Sequence, residues 1–100
     1  MKIFNWDNEK NERLKLERGI SFEEVVFCIE NGQILNVLEH PNKKKYKGQR
    51  MYVVAINNYA YIVPFIDSEN ERFLKTILPS RKYTSIERKS RMPQIQGVQG

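Results

Sequence analysis

Residues 51–66 read MYVVAINNYAYIVPFI. Two apolar runs flank Asn57-Asn58, and asparagine is among the few residues that accept the positive φ a two-residue hairpin turn demands. The stretch therefore reads as an antiparallel pair, Met51–Ile56 and Tyr59–Ile66. Met51–Ile56 is almost continuously apolar, as in a strand covered on both faces. Pro64 has no N–H to give to a ladder and is expected at an edge or a bulge.

Working outward, Ile34–Glu39 and Arg72–Leu78 read as two further strands, the second stopped by Pro79. Pro41–Gln49 is a basic loop and Asp67–Glu71 a polar turn. Upstream, Asp7 is a good N-cap for a helix over Asn8–Arg18, with Leu14 as its core residue and Gly19 as its left-handed stop. Ser21-Phe22-Glu23-Glu24 forms a capping box. It opens a second helix over Phe22–Glu30, in which Phe22, Val25, Val26 and Ile29 share one face. Asn31-Gly32 ends it. Ile3–Trp6 is a short strand or a hydrophobic lead-in. Thr84-Ser85-Ile86-Glu87 resembles a second capping box and predicts a short basic C-terminal helix. The expected fold is α+β: an N-terminal helical hairpin packed on a mostly antiparallel four-stranded sheet, then a short helix. Residues 1–91 are expected to form one domain. Residues 92–100, with proline, three glutamines and two glycines, are expected to be a flexible tail.

The chain has 100 residues, 40% hydrophobic and 29% charged, which suits one small globular domain. No apolar run approaches the ~20 residues of a membrane span, and MKIFNWDNEK lacks the apolar region of a secretory signal. A cytosolic location is expected. Cys28 is the single cysteine and His40 the single histidine, so neither an internal disulfide nor a Cys/His zinc site can form. No cofactor motif occurs. Cys28 lies in a helix that needs an apolar face and reads as buried and inert.

Net charge is +5, unevenly placed. Residues 1–30 carry five bases against seven acids, or −2, and residues 31–100 twelve against five, or +7. Lys43, Lys44, Lys45, Lys47 and Arg50 form one cluster. Arg81, Lys82, Arg88, Lys89 and Arg91 form another, opposed only by Glu87. Such clusters repel themselves, and a phosphate-bearing partner relieves the repulsion. Solvated surface or an acidic protein partner explains them too.

Particular residues resemble the BrnT family of bacterial type II toxins. Phe4-Asn5-Trp6-Asp7-Asn8-Glu9-Lys10 follows the family opening F-x-W-D-x-x-K. Arg18-Gly19-Ile20-Ser21-Phe22-Glu23-Glu24 follows K/R-H-G-V-S-F-E-E at the same separation, and Ile77–Thr84 follows the outline of the family tail. The chain departs from the family at Leu14, Arg18, Thr76 and Pro79-Ser80. The resemblance spans about residues 3–90. It implies a RelE-like architecture, a ribonuclease activity that inhibits translation and growth, and a cognate antitoxin that holds the toxin in an inactive hetero-oligomer.

RNA cleavage without a metal needs cations aimed at the phosphate and a group that moves a proton. Arg50, Arg72, Lys75 and Arg81 sit on or at the ends of predicted strands and are the candidate catalytic cations. Protection of sheet edges is the competing role for such residues. His40 could act as acid or base, or be an exposed turn residue, and Glu39 could be the base instead. A two-histidine mechanism is excluded. Lys43, Lys44, Lys45 and Lys82 offer phosphate attraction, and Tyr46 offers base stacking. Lys10 could contact RNA or hold structure. Trp6, Tyr52 and Tyr61 read mainly as packing residues. The alternative is a basic module that binds RNA or an acidic protein without cleavage. On the catalytic reading, the cations converge in one pocket on the exposed sheet.

Overall fold

A computed structural model describes residues 2–39, Asn42, Lys44, Lys45 and residues 49–85. The elements are β1 (Ile3–Trp6), α1 (Asn8–Arg18), α2 (Phe22–Glu30), β2 (Ile34–Glu39), β3 (Gln49–Ile56), β4 (Tyr59–Asp67), β5 (Glu71–Leu74) and β6 (Leu78–Pro79). Residues 81–85 are helical.

The fold is α+β, but the sheet is mixed and six-stranded rather than four-stranded. Its order is β1-β5-β4-β3-β2, with β6 also on β4. Ile3–Trp6 is a strand, and it pairs parallel with β5, Phe4 opposite Arg72 and Trp6 opposite Leu74. The expected strand Arg72–Leu78 is split into β5 and β6. Pro64 accounts for the break. Its carbonyl accepts from the Lys75 N–H at 2.8 Å, but it offers no N–H in return where the chain leaves β5. Pro64 thus lies in an interior strand, at an interruption of the ladder.

Asn57 and Asn58 have φ of 53° and 64°, and this two-residue turn fixes the β3–β4 register, with Arg50 opposite Phe65 and Tyr52 opposite Val63. Period-2 alternation then sends Tyr52, Val54, Ile56, Val63, Phe65 and Leu74 to one face. There they form the core with Leu14, Ile20, Phe22, Val25, Cys28 and Ile77. Trp6 stacks on Phe22 with centroids 5.8 Å apart, so it is a packing anchor.

Both helix starts form as expected. Asp7 accepts from the N–H groups of Glu9 and Lys10, and Ser21 and Glu24 complete a reciprocal capping box. Gly19 ends α1 with φ of 65°. The expected helical hairpin is corrected. The helices do not pack along each other, and α2 alone makes broad contact with the sheet, on β3. They are joined at a corner by buried Asn11. Its amide donates to Glu23 Oε1 and its carbonyl accepts from the Phe22 N–H, both at 2.8 Å.

The Thr84 capping box is also corrected. The helix has already begun at Arg81, and Ser80 caps it by accepting from the Tyr83 N–H. Thr84 lies inside, its hydroxyl donating to the Ser80 carbonyl and accepting from the Ala60 N–H. The expected flexible tail, 92–100, lies outside the described residues.

Candidate phosphate-binding site

The site is built on the open end of the core-facing side of the sheet, where the helices no longer cover it. Arg50 is opposite Phe65 in β4, Asp67 is two residues further on the same face, and Arg72 in β5 is opposite Asp67. Three neighbouring strands therefore direct these side chains to one place. Arg50 Nη2 donates to Asp67 Oδ2 at 3.0 Å, and Arg72 Nε donates to Asp67 Oδ1 at 3.2 Å. Lys2 Nζ, just before β1, donates to the same Oδ1 at 2.6 Å. Three cations surround one carboxylate.

An aromatic floor sets their height. Phe65 is fully buried and stacks on Tyr52, with centroids 4.2 Å apart. The Arg50 and Arg72 guanidinium carbons lie 5.4 and 6.0 Å from the Phe65 centroid, within cation–π range. Arg72 Nη1 donates to the Tyr52 hydroxyl at 2.8 Å. The arginines are held on a rigid surface yet remain part-exposed, with side-chain exposures of 40% and 30%. Their outer N–H groups can therefore meet an anion in fork geometry. The Lys2 ammonium, and after it Arg72, hold the Asp67 carboxyl below its ordinary range. Asp67 thus stays charged and is a weak base.

The basic loop leaves from this same end. β2 ends at Glu39, which is opposite Arg50, and β3 begins at Gln49. Lys44 and Lys45 form an exposed turn on that connection. Glu39 lies on the same face as Arg50, its cross-strand neighbour. His40, Lys43 and Tyr46 lie outside the described residues.

Arg81 and Lys82 are not brought to this end. Arg81 follows Ser80, whose N–H donates to the Ala60 carbonyl. That is five residues along β4 from Phe65, a separation of about 17 Å. Lys82 lies beside it, its ammonium 5.9 Å from the Tyr83 ring. Lys75 follows β5 and is half-buried. Lys10 donates to the Lys75 carbonyl at 3.1 Å and Arg18 to the Ile77 carbonyl at 3.2 Å, so both tie α1 to the segment between β5 and β6. The cations do not share one pocket. Arg50 and Arg72 meet, while Arg81 and Lys82 occupy the other end of the sheet.

The local sequence around Asp67 reads as a polar turn, and nothing near Lys2 marks it as part of a site. The hairpin register would have found Asp67, because a two-residue Asn57-Asn58 turn fixes Phe65 opposite Arg50 and hence Asp67 beside it. Lys2 needed the parallel β1–β5 pairing, which no local pattern encodes.

Cys28 is buried, with its Sγ 3.6 Å from the Ala55 carbonyl, and burial raises its thiol pKa. Among the described residues, no group of three or more His, Cys, Asp or Glu is placed to hold a metal ion. No helix among them is long and apolar enough to cross a membrane.

No protein-family model matches the chain, and no curated protein or solved structure matches it.

Proposed function

We propose that this chain is the toxin of a bacterial type II toxin–antitoxin pair, a metal-independent endoribonuclease acting in the cytosol. What supports the reading, beside the resemblance to the BrnT family, is one observation. Arg50 and Arg72 converge on Asp67 over the Tyr52–Phe65 floor, at the end of the sheet from which the basic loop leaves. Two part-exposed guanidiniums offer a phosphodiester a paired set of donors, and they stabilise the charge that grows on it as the 2′-oxygen attacks and the 5′-oxygen leaves. Lys44 and Lys45 supply sequence-independent attraction. Glu39 or His40 takes the 2′-hydroxyl proton. The antitoxin covers this end with an acidic segment.

The test is induced expression of the wild type, Arg72→Ala and Arg81→Ala, reading growth and transcript length. Wild type should arrest growth and shorten transcripts, and Arg72→Ala should do neither. A wild type that leaves both unchanged overturns the nuclease reading. A fully active Arg72→Ala overturns the site assignment, and Arg81→Ala reports whether the far end contributes.

One observation favours the second reading, a module that binds RNA or an acidic protein without cutting. Asp67 is already saturated by three cations, so the charge most central to the site is structural. Purified protein that retards RNA and leaves it intact selects that reading.

A further inference from the structure

An apolar groove of about 950 Å³ runs between α2 and the β3–β4 hairpin. Phe27 and Cys28 of α2, Leu35 of β2 and Ile56 of β3 line it, and Thr84 lines it from the helix at residues 81–85. The volume is that of a binding cleft, and Phe27 stands 61% exposed in it. The described residues that line it include two acids, Glu23 and Glu24, and no base. Asn11 donates to one Glu23 oxygen and the Lys15 ammonium is 3.9 Å from the other, while Glu24 accepts from the Ser21 N–H. Such a groove suits an apolar segment that brings positive charge beside it.

We propose that the C-terminal segment of this chain, residues 86–100, docks in this groove rather than hanging free. The exit of the chain selects this occupant first. Ser85 is the last described residue, and Thr84 before it already belongs to the groove wall, its hydroxyl fixed between the Ser80 carbonyl and the Ala60 N–H. The segment therefore starts at the groove. Its fifteen residues span about 22 Å as a helix and about 50 Å extended, well beyond the ~6 Å that separates Glu23 from Phe27 along α2. The order of its chemistry matches as well. Arg88, Lys89 and Arg91 come first, opposed only by Glu87, and Met92, Ile95 and Val98 follow at three-residue spacing. The bases meet the side of Glu23 and Glu24, and the apolar residues cover Phe27, Leu35 and Ile56. Because both acids already have partners, apolar burial supplies most of the affinity and charge sets the direction. A tether this short also holds the segment at an effective concentration on the order of millimolar, which favours it over a separate molecule of equal affinity. The inference does not rest on the RNA reading.

A nitroxide on Gln96→Cys, in the full chain carrying Cys28→Ala, tests it through the amide NMR spectrum. The oxidised label should broaden the Phe27, Leu35 and Asn58 amides relative to the reduced label. It should leave the Asp67 amide sharp, about 30 Å along β4 from Asn58. Phe27→Asp, at an exposed position, and Ile95→Asp, in the segment itself, should each abolish the broadening while keeping the far-UV circular dichroism of the folded chain. Groove amides that stay sharp beside the oxidised label overturn the proposal. So does broadening that Ile95→Asp leaves intact. Broadening of an isotopically enriched, unlabelled chain mixed with a spin-labelled chain overturns it too, since the segment then docks on a second copy. Tryptic cleavage of the chain with its native cysteine gives a reading independent of the Cys28→Ala background. Cuts after Arg88, Lys89 and Arg91 should be several-fold faster in Ile95→Asp than in wild type, and equal rates overturn the proposal.

Discussion

Arg50 and Arg72 belong to strands that do not pair with each other, yet their guanidiniums meet on the two carboxylate oxygens of Asp67, at 3.0 and 3.2 Å. β4 lies between them and supplies both the acid and the aromatic floor. The site is therefore a product of sheet register.

The first prediction concerns Asp67→Asn. The substitution leaves three cations without their shared anion, so stability falls, by about 1 kcal/mol for a part-exposed network of this kind. RNA affinity should rise, because the arginines lose a competing carboxylate and the site gains a positive charge. Urea melts and RNA-binding titrations measure the two effects. Weaker RNA binding would mean that Asp67 orients the arginines for the phosphate rather than competing with it.

Acid should undo the same network. The Asp67 carboxyl is held below its ordinary range, by Lys2 first and then Arg72. Its stabilisation is thus fully present above the unfolded-state pKa of about 4 and is lost as pH falls through the lower folded value. Wild type should lose more stability over that acidic window than Asp67→Asn does. Parallel pH–stability curves would remove Asp67 from the account.

Asn11→Ala is expected to be costly for its size. Asn11 is 1% exposed, and its carbonyl satisfies the Phe22 N–H at a buried corner between the helices. Alanine leaves that donor buried without a partner, at a cost of about 1–3 kcal/mol. Chemical denaturation measures it, and a loss within experimental error would show that water replaces the amide.

Cys28 should react slowly with a thiol reagent in the native protein at neutral pH and rapidly after denaturation. Its thiol is buried, and burial raises its pKa. A native rate equal to the denatured rate would mean that α2 opens readily from the sheet.

Local chemistry was legible in the sequence wherever it sufficed. Asp7, Gly19, the Ser21–Glu24 box and Asn57-Asn58 each fix backbone geometry within a few residues, and the helix limits and the central hairpin follow from them. Partners distant in sequence were not legible. The parallel docking of Ile3–Trp6 on β5, the break opposite Pro64 and the bond from the Ala60 N–H to the Thr84 hydroxyl depend on which element lies alongside. The same limit governed the site. Arg50, Arg72 and Arg81 all read as strand cations, but only register separates the pair that meets on Asp67 from Arg81, whose neighbour Ser80 joins β4 at Ala60, about 17 Å along the strand from Phe65.

The central claim is that the Arg50–Arg72 end of the sheet binds the phosphodiester. Salt-dependent binding of a single-stranded RNA to wild type, Arg50→Ala/Arg72→Ala and Arg81→Ala/Lys82→Ala tests it most directly. The first double variant should lose most of the affinity and flatten the log–log salt slope by about 0.7 for each phosphate contact removed, while the second should stay close to wild type. The reverse pattern, with affinity lost at Arg81 and Lys82 and retained without Arg50 and Arg72, would contradict it.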